Sequence, residues 1–369
     1  MSTPVLLISH GFQASYEKAF SNAVAEHGVA VTLAASARTE YARLDSRIVA
    51  PNLLPSMDPS RSIGQKVRAK LAYVLQLAAL VVRNRRANIH LIGTFLTTSV
   101  FLGIFELVFY RLFGKRLLLT VHNLLPHDKH TGFNSRAAWF AYRIPHVLVV
   151  HTDRMRDELV RVWGVRAERV LVMEHGVDDI PPDGQPPPET AGRTRLLMFG
   201  SVARYKGVDT ALRALAAIQD FPIELTITGI CRDQAYADEI AALINAVPPL
   251  HRVVWNRGYV PEEEVQGCFE AAEAVLLPYR HIDQSGVLFT AFRFGLPVVA
   301  FNVGAFDHYV TPDSGIVCPS NDELGLVDGL RALRKTVGRF ERRAIKKYAE
   351  RYLWTNTIEP VLDEYAKAV

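Results

Sequence analysis

Short apolar runs alternate with stretches of helical apolar spacing twice along this chain, and one proline-dense segment separates the two series. In the first series Val5–Ser9, Ala30–Ala34, Asn88–Gly93, Leu117–Val121, Val147–Val150 and Val170–Met173 read as strands. Tyr16–His27, Ile63–Val82, Ser99–Phe113 and Arg154–Trp163 read as helices between them, the last capped by Thr152 or Asp153. The second series repeats the pattern with strands at Arg195–Phe199, Glu224–Thr228, Arg252–Trp255, Ala274–Leu277 and Pro297–Phe301, and helices at Val208–Ile218 and Val287–Phe294. Strands that are apolar throughout are buried on both faces, and strands joined through helices run parallel. The expected fold is therefore α/β: two doubly wound, Rossmann-like parallel-sheet domains. The divider, DDIPPDGQPPPETAG from Asp178 to Gly192, has linker composition. The expected parts are a first domain over 1–178, a linker over 179–192, a second domain over 193–345 and a terminal helix over 346–369. Within a helical tail from Phe340 onward, Trp354, Ile358, Val361, Leu362 and Tyr365 form a stripe that predicts a long helix packing back on the first domain.

Composition narrows the class of function. The 369 residues exceed one ordinary core. The three cysteines, Cys231, Cys268 and Cys318, are scattered, which argues against a disulfide framework or a paired-cysteine metal site. The opening MSTPVLLISHGF lacks the charged start of a signal peptide, so a cytoplasmic location is expected. Net charge is a modest +4, but ten Lys and Arg residues between Arg61 and Arg116 face one acid, Glu106. That excess predicts an anionic partner. Over Ile63–Val82, Val67, Leu71, Val74, Ala78 and Val81 form an amphipathic stripe. Ala87–Phe105 carries no charge, but Asn88, His90, Gly93 and the Thr97–Ser99 cluster break it into a strand, a turn and a helix rather than a membrane span. The apolar, basic-ended helix that follows fits either the headgroup plane of an anionic membrane or the core of an α/β layer. Peripheral association with the inner membrane is the expectation drawn from the first.

Parallel sheets bind ligands beyond the carboxyl ends of their strands. Candidates at such ends are the His10-Gly11-Phe12 turn, His122 and His127 with Asn123 and Asp128 beside them, and the basic loop from Gly200 to Gly207 with Arg204 and Lys206. The junction Gln284-Ser285-Gly286-Val287 opens a helix whose first unpaired N–H groups suit a diphosphate, although an ordinary α/β turn has the same appearance. Arg204 and Lys206 would add charge to those donors. The spacing from His122 to His127 is poor for a metal, and no DxD motif occurs near the candidate loops, so no metal and no cofactor are expected.

Together the two domains, the proline-rich hinge, FGSVARYKGVD and the G-x-P-V-V-A after a helix resemble the GT-B glycosyltransferases, and more closely their retaining family 4. The resemblance implies two domains facing a cleft and a nucleotide-diphosphate sugar as co-substrate. It implies donor contacts from Gly200, Ser201, Arg204 and Lys206, from Arg257, Gly258, Tyr259 and Val260 around the base, and from Asp283, Gln284, Ser285, Gly286, Val287 and Leu288. It also implies a catalytic part for His122 with Lys206 and Arg204, and an acceptor side at His10, Gly11, Phe12 and His127. The family's paired glutamates are degenerate: the second falls at Thr290 and the first near Asp283. The Gln-Ser-Gly before the helix is similar to a subset acting in exopolysaccharide and lipid-linked glycan assembly. The implied partners are the donor, a lipid-linked or glycan acceptor and an anionic membrane, with no nucleic acid. A non-catalytic sugar-nucleotide binder on the same scaffold and a nucleotide-sugar epimerase are the competing expectations.

Overall fold

The computed structural model describes residues 3–55, 62–93, 100–124, 138–181 and 192–367. These residues form two compact units, 1–176 with 354–369, and 177–353. The proline-dense segment over 182–191 lies outside the described residues.

Unit 1 is built from β1 (Val5–Ile8), α1 (Ala14–Glu26), β2 (Val31–Ser36), β3 (Asn52–Leu54), α2 (Ile63–Arg83), β4 (Asn88–Leu91), α3 (Val100–Phe113), β5 (Arg116–Thr120), β6 (Val147–Val150), α4 (Asp153–Arg161) and β7 (Val170–Val172). Among the described residues the strands form one seven-stranded sheet in the order β3-β2-β1-β4-β5-β6-β7, and every pair is parallel. Strands β1, β4 and β6 are buried at every position, as expected of a sheet covered on both faces. The buried apolar residues divide into a cluster holding Leu6, Ile89, Leu119 and Tyr73 and another holding Leu7, Leu33, Phe20 and Leu118. Thr152 caps α4, accepting a hydrogen bond from the Met155 N–H at 3.1 Å.

Unit 2 contains β8 (Thr194–Phe199), α5 (Val208–Ala217), β9 (Ile223–Thr228), α6 (Gln234–Ala246), β10 (Arg252–Asn256), α7 (Glu262–Glu270), β11 (Ala274–Leu277), α8 (Gly286–Arg293), β12 (Val298–Ala300), α9 (Phe306–Tyr309), β13 (Gly315–Val317), α10 (Glu323–Thr336) and α11 (Arg342–Ala349). Its six described strands run parallel in the order β10-β9-β8-β11-β12-β13. The chain leaves β8 toward β9 on one side and returns to β11 on the other, so the strand order reverses between β8 and β11. The corresponding reversal in unit 1 lies between β1 and β4.

Two expectations from the sequence need correction. The tail is not one long helix. It is α11, a short 3₁₀ turn at Glu350–Tyr352, then α12 (Trp354–Thr357) and α13 (Glu359–Ala366). The break has a local cause: Leu353 is extended, Val177 N–H bonds the Tyr352 carbonyl at 2.7 Å, and Pro360 opens the last helix. Residues 346–353 pack in unit 2, while Trp354, Ile358, Val361 and Tyr365 are buried in the unit 1 core. The apolar stripe on α2 also faces differently. Val67, Leu71 and Val74 are exposed, and the core-facing side is formed by Tyr73 and Leu77 together with Val81, the one member of the stripe that is buried. Three-residue offsets on one helix permit either stripe, and only the sheet beneath decides which is covered.

Candidate active site

Past the end of β8 the chain passes Gly200 and continues parallel to the residues that follow β9. The Gly200 N–H bonds the Thr228 carbonyl at 2.9 Å, and the Val202 N–H bonds the Ile230 carbonyl at 2.9 Å. The approach is so close that a Cβ on Gly229 would lie 2.0 Å from the Gly200 oxygen. A 3₁₀ turn over Arg204–Lys206 then ends at Gly207, which has φ +67° and where a Cβ would meet the Pro278 oxygen at 2.1 Å. A side chain fits at neither position. The loop is thereby pressed against the segment that follows β11.

This packing buries Lys206. Its ammonium donates to the Phe199 carbonyl at 3.0 Å and sits 5.4 Å from the centre of the Tyr279 ring. Burial lowers its pKa, and Tyr205 works in the opposite direction. A Cβ built on Gly200 would stand 2.9 Å from Lys206 Nζ and 3.9 Å from Val287 Cγ2. The expected cation, the glycine turn and the first turn of α8 thus come together at the strand reversal of unit 2. Ser285 is extended and buried ahead of α8, Gly286 is exposed and Leu288 is buried. The first-turn N–H groups of such a helix lack intrahelical acceptors. The buried Gln284 Nε2 has no hydrogen-bond partner among the described residues. Thr290, where the resemblance places a glutamate, turns its hydroxyl onto its own helix and donates to the Gly286 carbonyl at 2.9 Å.

Arg204 is held elsewhere. Its guanidinium donates to Glu239 at 2.9 Å, lies 3.5 Å from Asp233 and covers the Tyr236 ring at 4.6 Å. Sequence reasoning passed over the arginine that ties the two loops together, Arg280. It donates to Asp209 at 2.6 Å and Thr210 at 3.1 Å, and also bonds the Arg204 carbonyl, while its N–H bonds the Tyr205 carbonyl at 2.7 Å. Burial pushes the Asp209 carboxyl up, but hydrogen bonds from Arg280 and Tyr236 and the charges of Arg280 and Arg213 outweigh it, so its pKa is lowered. At the end of the edge strand β10, Arg257 lies over the Trp255 ring at 4.0 Å and Tyr259 is exposed, with Gly258 and Val260 flanking it. Strand β9 separates this loop from the Gly200 turn.

In unit 1 the turns after β1, β4 and β5 meet. His10 has φ +55°, the one non-glycine residue with positive φ among those described. Its Nδ1 lies 2.5 Å from the Tyr73 hydroxyl of α2, and its Nε2 contacts the buried Glu106 of α3. Glu106 entered the sequence reading only as a lone acid in a basic stretch. Gly11 follows with φ +71°, and Phe12 stacks on His122 with ring centres 4.5 Å apart. The Tyr16 ring stands edge-on to His122 at 4.8 Å. Both His122 nitrogens meet protein partners: Nε2 lies 2.8 Å from the Ile92 carbonyl and Nδ1 lies 3.2 Å from His151 Nε2. Burial pushes the His122 pKa down to about 4. The position rule that selected His122 fits His151 equally well, since it directly follows β6. His127 lies outside the described residues.

Two families match the chain. "Glycosyltransferase Family 4" matches residues 13–179, and "Glycosyl transferases group 1" matches residues 193–336. A D-inositol 3-phosphate glycosyltransferase of Xylanimonas cellulosilytica is 28% identical over 239 residues, 60% of this chain and 57% of that protein. A GDP-mannose:glycolipid 4-beta-D-mannosyltransferase of Xanthomonas campestris pv. campestris is 27% identical over 197 residues, 52% of this chain and 51% of that protein. The chain therefore spans about half the length of these relatives. Among solved structures, Anabaena Alr3699/HepE in complex with UDP-glucose superimposes with a TM-score of 0.71 at 15% identity, over 98% of each chain. At that identity the likeness speaks for the fold.

Proposed function

The chain belongs to the family 4-like glycosyltransferases of the GT-B fold, and from that premise we propose that it transfers a sugar from a nucleotide-diphosphate sugar to an acceptor hydroxyl with retention of anomeric configuration. The observation that carries the proposal is the convergence of Lys206, Gly200 and Val287 at the strand reversal of unit 2. Negative charge grows on the diphosphate as the glycosidic bond breaks. A buried ammonium and the first N–H groups of α8, fixed in advance, stabilise that charge more than they stabilise the bound donor. Lys206 supplies the cation in this reading, which calls for no metal ion. In this reading Arg204, held by Glu239, supports the loop through α6, with Gly200, Ser201, Asp283, Gln284 and Leu288 shaping the donor site and Arg257–Val260 facing the base.

The acceptor is proposed to enter beside His10, Gly11, Phe12 and His122. A glycolipid acceptor is supported by the name of the Xanthomonas relative and by the outer faces of α2 and α3. Leu71, Leu75, Phe105 and Leu112 are 61–74% exposed on these faces, and Lys66, Lys70, Arg83, Arg111 and Lys115 lie on or just beyond the same helices. An apolar face with a basic rim fits the headgroup layer of an anionic membrane. No helix among the described residues is long and apolar enough to cross a bilayer.

Thr290 in place of a glutamate favours one rival reading, a binder of sugar nucleotides without transferase activity. Turnover decides between them. Incubation with UDP-glucose, GDP-mannose and related donors plus a bacterial lipid extract is expected to release nucleoside diphosphate only when the extract is present. Donor binding with no extract-dependent release would favour the binder.

A further inference from the structure

At the amino edge of the unit 1 sheet, the end opposite the proposed acceptor turns, guanidinium groups gather around a neutral imidazole. His146 immediately precedes β6, Arg169 immediately precedes β7, and Arg111 stands in the last turn of α3, ahead of β5. The Leu117 N–H of β5 donates to His146 Nδ1 at 2.8 Å, so that nitrogen carries a lone pair. Burial, then the charges of Arg111, Arg116 and Arg169, push the His146 pKa down to about 4. The ring is therefore neutral at pH 7, with its hydrogen on Nε2. That N–H faces the Arg111 guanidinium, which also only donates. Two donors cannot satisfy each other, whereas an anion set against both accepts from each.

The surrounding charge is of one sign. Arg143 donates to the carbonyls of Trp139 at 2.7 Å, Trp163 at 2.8 Å and Gly164 at 3.2 Å, and lies over the Trp139 ring at 3.5 Å. Arg169 donates to the carbonyls of Arg143 at 3.0 Å, His146 at 3.3 Å and Tyr142 at 3.4 Å, and also bonds that of Pro145. Carbonyls satisfy these groups without cancelling their charge. Among the described residues Arg111, Arg143 and Arg169 pair with no carboxylate, while Glu168 is held by Arg166 at 3.2 Å and Glu364 by Arg116. Burial and the neighbouring Arg166, Arg111 and Arg143 lower the pKa of Arg169, as an uncompensated positive field does. Exposed apolar residues flank the cluster: Leu112 and Phe113 directly follow Arg111, and Trp139 and Phe140 lie one turn before Arg143. Leu107 and Tyr110 of α3 share one core cluster with Ala141 and Tyr142, so both segments belong to the same outer layer.

We propose that Arg111 and the His146 Nε2–H hold the phosphate of an anionic phospholipid at this edge, with Arg143 and Arg169 supplying further positive field. A guanidinium and an imidazole N–H are both good donors to a phosphate oxygen. Aromatic rings beside them suit the level of the headgroups. Strand β5 has five residues, so at about 3.3 Å per residue it sets the site roughly 16 Å from the His122 end of the sheet. The bound lipid is therefore an anchor and not the acceptor. The choice of a lipid over a free phosphate rests on the membrane reading of α2 and α3.

The test uses the full chain labelled with 15N-histidine and dihexanoyl phosphatidylglycerol below its micelle concentration. Saturable movement of the His146 ring-nitrogen signals is expected, with the His146 pKa raised, because an opposite charge favours the imidazolium. Dihexanoyl phosphatidylcholine, which has no net charge, should bind more weakly. Arg111 is exposed and its substitution leaves the core intact. Arg111→Gln should weaken phosphatidylglycerol binding at least about tenfold, the loss expected for one charge-assisted hydrogen bond. A response unchanged in that variant, or equal with phosphatidylcholine, overturns the proposal. An equal response to inorganic phosphate assigns the site to a free anion and overturns the lipid. Sedimentation with phosphatidylserine vesicles judges the membrane reading separately. Vesicle binding without a His146 response removes this site alone, and a His146 response without vesicle binding keeps the headgroup site and overturns the anchoring.

Discussion

Lys206 was legible as a residue before its environment was. A lysine between Tyr205 and Gly207 in a strand-end loop stands out in the sequence as a candidate phosphate ligand. Its burial is tertiary, because Gly207 can only press against Pro278 once β8 and β11 are neighbours. Lys206→Ala is expected to lower kcat by about 10²–10³-fold, in the range seen when a preorganised donor to a developing charge is removed. It also leaves the Phe199 carbonyl without its partner, at a cost of about 1 kcal/mol. Turnover and a urea titration of the same variant separate the two effects, and unchanged kcat would move the diphosphate elsewhere. His90 gives the clearest pH dependence. It lies between the Tyr365 hydroxyl at 2.6 Å and Thr120 Oγ1 at 2.8 Å, and burial pushes its pKa down to about 3. The folded value is depressed below the ordinary value of about 6.5, so the stability it contributes is present above that value and is lost as pH falls toward the folded value. Urea midpoints should therefore drop between pH 7 and pH 4.5 in the parent chain, and drop less in His90→Gln. An equal drop in both would assign the acid sensitivity to other groups.

At the scale of elements, strands were read most accurately: Val147–Val150 and Ala274–Leu277 stand where the apolar runs put them. A continuous apolar run buried on both faces leaves little choice. The edge strands β3 and β13 escaped, whereas β7, an edge strand equally short and mixed in exposure, was read from its apolar run. Helix α10 was missed although Asp322 caps it, accepting from the Gly325 N–H at 2.8 Å. The face of α2 was misread because helical spacing marks a stripe without saying what covers it. The exposed stripe predicts behaviour that can be measured. Replacing Arg83, Arg85 and Arg86 with Glu should weaken binding to phosphatidylserine vesicles by at least 10²-fold at low salt, given about 1 kcal/mol per basic residue near the surface. The loss should shrink as salt rises. Equal sedimentation of parent and variant with vesicles would remove the membrane from the proposal.

For the whole molecule, the consequential feature is that unit 1 is completed by residues from the far end of the chain. Trp354, Ile358, Val361 and Tyr365 are at most 6% exposed. The Asn88 amide donates to the Tyr365 carbonyl at 3.0 Å, and Arg116 pairs with the buried Glu364. Deleting residues 354–369 should expose the cluster around Phe20 and Leu118 and unfold unit 1, leaving unit 2, which contributes none of these contacts, as the folded part seen by limited proteolysis. Trp354→Ala alone should cost about 3–5 kcal/mol. A truncated chain whose first 176 residues still resist protease would show that the tail is dispensable.

Local rules act through the sequence alone, so it determined the α/β class, the strand positions, the proline-dense divider and the Lys206 and Gly286 loops. Apolar runs, proline and glycine constrain the backbone wherever they occur. Tertiary structure decided everything that depends on which strands become neighbours: the meeting of Lys206 with Val287, the Arg280 tie, the diversion of Arg204 to Glu239 and the face of α2 left uncovered. It also decided the pairing of His122 with His151. Those contacts join residues far apart in sequence, and only the reversal of strand order in each sheet brings them within bonding distance.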